Sequence, residues 1–324
     1  LLVDMTDDVA RHVLRNNYLQ TQVISVVASH AADRVAEHAA LMHALEVELS
    51  LDRELEALPT DEDLMQRARA GEGLSRPELS TLISYAKIHL TEELRRSSIP
   101  DDEFFVEELT AYFPERLMHR YGKFAPQHPL RREIIATCLA NRIVDRMGPS
   151  FMVRALADTG ASVEAITRAF TILRHVFGMD TLWQRIEALD NAAPAAAQYS
   201  MLFQAARILR QAVYWLLQHR EEEELRIGAT IDSLQGPVRE LSSLLDSLLR
   251  GSQRKRIRAM TRDYEQLGAP AALATDMARQ HAAVSILDVA DIADRSKLDI
   301  RFVAEVYIAI GRGLNLAWLR AEIE

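Results

Sequence analysis

Cysteine, lysine and long apolar runs are what this 324-residue chain has least of. A single cysteine, Cys138, excludes an internal disulfide framework and fits a reducing, cytoplasmic setting. No apolar run reaches the roughly 18–20 residues needed to cross a bilayer, and no leader-type segment opens the chain, so no membrane partner is expected. Lysine is confined to Lys87, Lys123, Lys255 and Lys297, which leaves few amines for general-base or Schiff-base chemistry. Strand-like alternation is missing throughout. So are a Gly-x-Gly-x-x-Gly fingerprint, a Walker A loop and a His-Glu-x-x-His pair, which excludes the familiar dinucleotide, phosphate and zinc sites. Gly71-Glu-Gly73 and Gly311-Arg-Gly313 are too short to cradle a phosphate and sit between expected helices. His30, His38 and His43 are not at the i, i+4 spacing that turns two ligands to one face, and read as surface or seam residues. Cys138, beside Ile134 and Ile135, reads as an inert core thiol. The net charge of −9 argues against a nucleic-acid surface, and the basic stretch Arg254 to Arg262 lacks interleaved aromatics.

What is present is helical periodicity. Thr6 reads as a cap, and no Gly or Pro follows until Pro59. Val9, Val13, Gln20, Ile24, Val27, Ala31, Val35, Met42, Leu45 and Leu49 recur at spacings of three, four or seven. That predicts one very long N-terminal helix, or two nearly collinear ones. Ser75-Arg-Pro-Glu78 has the form of a capping box. Ser162, Asp180 and Asp299 read as further caps, Pro194 and Gly236-Pro237 as helix openings, and Gly311-Arg-Gly313 as a joint before a last helix at 315–323. Glu221 to Glu224 reads as a solvated acidic run. The fold class is all-α, with a dozen or more helices.

The stretch His128 to Gly148 stands out. Pro129 suits a first helical turn and Gly148 a position just past the end. Apolar residues cover most of the circumference of 129–147, with Thr137 and Asn141 in the most apolar arc beside Leu130, Ile134 and Val144, which marks a buried central helix. Arg131, Arg142 and Arg146 gather on one flank. With Asn141 they are the candidate contact for an anion or a neighbouring domain, since arginine forks match carboxylates. The bland alternative is an intramolecular salt-bridge edge. No residue is assigned a catalytic, cofactor-binding or metal-binding role.

Several segments together resemble the C-terminal helical region of the large, multidomain bacterial NAD-specific glutamate dehydrogenases. They are Asp4-Met-Thr-Asp7, Val13-Leu-Arg-Asn-Asn-Tyr-Leu-Gln-Thr21, Gly73-Leu-Ser-Arg-Pro-Glu-Leu79, Tyr85-Ala-Lys-Ile88, Tyr112-Phe-Pro114 and His128-Pro-Leu-Arg-Arg-Glu-Ile-Ile-Ala-Thr137. Trp215-Leu-Leu217, Tyr307, Gly311 and Trp318-Leu319 extend the likeness. Asp145 departs from it, standing where an amide-type side chain is expected. The resemblance implies a parent enzyme that oxidatively deaminates L-glutamate with NAD. Its nucleotide-binding catalytic domain would lie upstream as a partner in the same chain, and the whole would self-associate. Residues 1–324 would then be one C-terminal helical domain, divided, if at all, between 125 and 126. It would bind no cofactor itself and would serve packing, oligomer contacts or regulation. Leu1, standing where an initiator Met is absent, fits a piece of a longer chain. The competing expectation is a stand-alone helical scaffold that docks through a basic edge.

Overall fold

A computed structural model describes residues 2–249 and 251–313. Among the described residues every regular element is helical: sixteen α-helices and five short 3-10 turns. The chain divides into two compact units, Leu1–Arg168 and Ala169–Glu324. The division falls further along than 125/126 because α7 and its neighbours pack into the first unit.

The first unit holds α1 (Leu2–Ala28), α2 (Val35–Leu49), α3 (Asp61–Arg69), α4 (Arg76–Arg96), α5 (Val106–Tyr112), α6 (Glu115–Tyr121), α7 (Arg131–Met147) and α8 (Phe151–Thr159). Helix α9 (Val163–Val176) carries the chain onward. The long N-terminal helix is there, and the seam breaks after Ala28. The Ser29 hydroxyl donates to the Val26 carbonyl at 2.7 Å, and a 3-10 turn, Ala32–Arg34, restarts the helix. Thr6 therefore lies inside α1, not at its cap. The break makes room for a crossing. A Cβ on Gly73 would stand 2.3 Å from the Ala31 carbonyl carbon, so only glycine lets the loop before α4 pass there. Around this crossing Leu41, Met42, Leu45, Leu64, Leu79 and Leu82 form a buried cluster.

Helix α4 starts as expected. Ser75 and Glu78 close a reciprocal capping box, and Glu78 also receives both arms of Arg67 at 2.8 and 3.0 Å. Burial pushes the Glu78 carboxyl up, but the hydrogen bonds from Arg67 and Ser75 outweigh it and hold the group below the usual carboxylate range. Thr60 and Asp63 build a second capping box at the start of α3.

Helix α7 is the buried central helix of this unit, with Ile135, Ala136, Leu139, Ala140, Ile143 and Val144 enclosed. It packs on α1, α4 and α5. It begins at Arg131, two residues later than expected. The Leu130 N–H donates to His128 Nδ1 at 3.1 Å and holds Pro129 and Leu130 in a turn outside the helix. Gly148 takes φ +85° just past the end. The covered arc overlaps the expected one at Ile134 and Val144 and is otherwise rotated from it. Leu130 is 55% exposed, and exposed Thr137 turns its hydroxyl back onto the Glu133 carbonyl. The face covered by α4 and α5 lies to the other side. Between α4 and α7, Lys87 Nζ meets Asp145 Oδ1 at 2.7 Å, with the two side chains 13% and 7% exposed. Burial drives the Asp145 carboxyl above its ordinary pKa, and the Lys87 charge only partly offsets that.

The second unit continues from α9 with α10 (Met179–Glu187), α11 (Ala195–His219), α12 (Ile227–Leu248), α13 (Gly251–Gln266), α14 (Ala271–Gln280), α15 (Ala283–Ser296) and α16 (Ile300–Gly313). Helices α13 and α14 pair, while α15 packs on α11, α12 and α16. Three boundaries differ from expectation. Gly178 at φ +60° precedes α10, so Asp180 sits inside the helix. Helix α12 runs straight through Gly236-Pro237, where the proline gives up only the hydrogen bond to the Ser233 carbonyl. Helix α16 continues through Gly311-Arg-Gly313 instead of ending near 310. The helix expected at 315–323 lies outside the described residues. Ser162 and Asp299 do cap, accepting from the N–H groups of Ala165 at 3.1 Å and Phe302 at 2.9 Å.

Gly73→Ala is expected to destabilise the first unit by about 1–3 kcal/mol or more, because the methyl group meets backbone that cannot turn aside. Gly122→Ala, where a Cβ meets nothing within 4 Å, is the control and should stay within about 0.5 kcal/mol of wild type. Chemical denaturation compares the two. Lys87→Met should cost about 3–5 kcal/mol at neutral pH by leaving a buried carboxylate alone. The folded-state pKa of Asp145 is raised, so that loss should shrink as pH falls toward and below the ordinary aspartate range, where the carboxyl is protonated. A loss independent of pH would show that Asp145 is not the source.

Candidate functional site

The four residues proposed as an anion or interdomain contact are spread along α7. The Arg142 guanidinium pairs with Glu108 of α5, whose side chain is nearly covered. Arg146 Nη1 donates to Gln22 Oε1 on α1 at 3.2 Å. These two join α7 to its neighbours inside the unit. Arg131 is half-buried, and its Nε is enclosed without a hydrogen-bond partner among the described residues. Asn141 is half-buried. The structure does not draw the four into one cluster.

A fifth side chain, Arg132, went unnoticed in the sequence. It pairs with Asp101 and donates to the carbonyls of Arg95 and Ser97 at 2.9 and 2.8 Å. Those carbonyls end α4 and lack helical donors, so the guanidinium closes the helix C-terminus. Nothing local in the sequence marks this role, which depends on α4 ending beside the start of α7. Lys87 had only its rarity as a signal, and Asp145 only its departure from the expected amide.

The second unit has its own polar centre. Trp215 Nε1 on α11 donates to Asp288 Oδ1 on α15 at 2.7 Å, and the Tyr307 hydroxyl on α16 donates to Oδ2 at 2.5 Å. The Trp215 ring stacks on His219 at 4.5 Å. One turn along α15, buried Asp291 meets Arg220 Nη2 at 2.7 Å and Arg295 Nε at 2.9 Å. Three helices are thus tied through two aspartates. Each carboxylate is taken up by cationic or hydroxyl and indole donors, which is fixation, not poised acid–base chemistry.

Other chemistry is sparse among the described residues. No three His, Cys, Asp or Glu side chains converge as a metal site there. An apolar cavity of ≈ 10 Å³ beside Leu41, His89, Ile143 and Met152 has room for about one water. Burial pushes the Cys138 thiol up to about 11, so it stays protonated at neutral pH and is a poor nucleophile. No helix among the described residues is long and apolar enough to cross a membrane.

The histidines separate by environment. His43 Nε2 meets Asp61 at 2.9 Å in the open. Exposed Asp61 is held below the usual carboxylate range first by Arg53, then by His43. His38 is 2% exposed within α2, and burial lowers its pKa to about 4. Protonating it in the folded state is therefore costly, while in the unfolded chain it titrates at its ordinary 6.5. Stability is expected to fall by about 3 kcal/mol as pH drops from 6.5 to 4, and to level off below that for this group. In His38→Phe, the acid-side slope of the unfolding free energy across that window should be shallower by one proton. An unchanged slope would sink the assignment.

A family model described as "Glutamate dehydrogenase, C-terminal" matches residues 71–324. The NAD-specific glutamate dehydrogenase of Pseudomonas aeruginosa is 38% identical over 323 residues, covering 100% of this chain and 20% of that protein. Proteins of the same name from Halomonas elongata and Mycobacterium tuberculosis are 36% and 33% identical, over 100% and 96% of this chain and 20% and 19% of theirs. The chain spans about a fifth of the length of the curated relatives it matches. Lys87, Trp215 and Tyr307, which lie in segments that carried the resemblance, prove to be residues that lock helices together, Lys87 to Asp145 and Trp215 and Tyr307 to Asp288. With the family model covering most of its length and relatives aligned along all of it, the chain belongs to the glutamate dehydrogenase C-terminal family.

Proposed function

We propose that this chain is a non-catalytic helical part of an NAD-dependent glutamate dehydrogenase. The parent would convert L-glutamate, NAD⁺ and water into 2-oxoglutarate, ammonium, NADH and a proton. Hydride would pass from the glutamate α-carbon to the nicotinamide, and water would hydrolyse the resulting imine. The cofactor supplies the redox chemistry and the protein the orientation and proton handling. Those groups belong to the upstream catalytic domain, and NAD is held there. The setting is the cytoplasm, in keeping with a single, protonated Cys138.

The observation that carries this reading is the alignment of the whole chain with a fifth of proteins named for that activity. The side chains give it physical support. The arginines and carboxylates best placed for chemistry are engaged in holding helices together: Arg142 with Glu108, Arg132 with the end of α4, Arg220 and Arg295 with Asp291. The role is support of the catalytic part and contacts within a homo-oligomer, with Arg131 the remaining candidate on the α7 flank for an interdomain carboxylate.

Glutamate-dependent NADH formation tests the reading. The full-length parent is expected to turn over and residues 1–324 alone to show none. Turnover by the 324-residue chain would overturn the non-catalytic assignment. A full-length protein that is folded and inactive on glutamate with NAD would overturn the reaction.

A further inference from the structure

Helix α1 is covered along only half its length. Residues 9–17 are all exposed, whereas Val23 and Ser25 further along are buried. The exposed half is not polar. Val9, Val13 and Leu14 are 48%, 52% and 67% exposed. Val9 and Val13 belong to the same seam as Ile24 and Val27, at spacings of 4, 11 and 3, close to whole turns of a helix. At its far end that seam is covered: Val27 packs against the core cluster. At its near end the seam is bare. Its start approaches α6, where Arg116 comes within 3.9 Å of buried Asp8. At the end of α6 and in the turn after it, Tyr121 and Phe124 are likewise exposed. Exposed apolar residues grouped on one stretch of a helix mark a surface that a partner covers.

We infer that residues 9–17 of α1 dock, through Val9, Val13 and Leu14, onto an apolar surface of the polypeptide that precedes this segment in the full-length protein. The inference rests on the proposed function, in which this chain follows a catalytic domain. In the relatives most of the length lies outside the match, and the matching family model is a C-terminal one. A preceding part of the same chain is tethered to α1, and a short tether holds it at an effective concentration of about millimolar. That favours it over a second copy of the chain, which must be drawn from dilute solution.

Backbone hydrogen exchange in the full-length protein tests this without depending on turnover. Amides of 9–17 are expected to exchange about as slowly as those of 18–28, and the double variant Val9→Glu/Val13→Glu to speed 9–17 about tenfold or more while 18–28 hold. Exchange of 9–17 about tenfold faster than 18–28 in the wild type would overturn the inference. So would an unchanged rate in the variant, or protection that vanishes on dilution, which would identify a second copy as the cover. If the glutamate substitutions also speed 18–28, Val9→Ser/Val13→Ser decides by the same criterion. NADH formation measured on the same wild-type sample separates failure of this inference from failure of the proposed reaction.

Discussion

Between α4 and α7 a lysine ammonium and an aspartate carboxylate meet at 2.7 Å with almost no water around them. Each ion costs several kcal/mol to desolvate, and their attraction returns much of that only while they face each other. The rise in the Asp145 pKa records the imbalance. Sliding α4 one turn along α7 would leave both charges buried and alone. The pair therefore fixes the register of the two helices at the centre of the first unit, and α1, α5 and the turn at Ile99–Asp101 are placed by packing on α7. Apolar packing supplies the driving force there, and the ion pair selects one arrangement among several of similar apolar area.

Arginine does comparable work elsewhere, in a different way. A guanidinium presents five donors in a rigid plane, so one side chain can close a helix end and neutralise a carboxylate together, as Arg132 does at the end of α4. Arg53 joins Glu46 and Asp61 at 2.7 Å each, and Asp291 takes two arginines. In a chain so poor in lysine, several arginines that brace one segment against another, among them Arg53, Arg67 and Arg132, carry more than one bond each. That is why a flank of arginines on α7 resembles a binding site in the sequence and proves to be largely internal bracing in the structure.

How much of this was legible beforehand depends on range. Several signals that act within one turn were legible: the Ser75–Glu78 box, the Ser162 and Asp299 caps, and Gly148 at positive φ, whereas Thr6 and Asp180, which look like caps, lie inside helices. Periodicity gave the all-helical class and the central helix. The larger failures depended on contacts distant in sequence. The seam through Ala31 looked unbroken because the crossing partner, Gly73, lies in a later loop. Pro237 looked like a start, yet packing on α15 and α16 keeps α12 continuous at the loss of one hydrogen bond. The arc around Leu130 and Thr137 was chosen from α7 alone, whereas α4 and α5 decide which side is covered. Arg132, Asp288 and the Lys87–Asp145 pair have roles that exist only between helices.

The Trp215–Asp288 bond has an optical consequence. Trp183 and Trp215 are both buried in the second unit, and the remaining tryptophan, Trp318, also lies beyond Arg168 in the sequence. The first unit has no indole at all. Tryptophan emission is therefore blind to the Lys87–Asp145 centre and reports only the half of the chain that holds Asp288, whereas circular dichroism counts the helices of both. Melting curves recorded in the two channels coincide when the units unfold as one, and a gap between them shows that the units unfold separately.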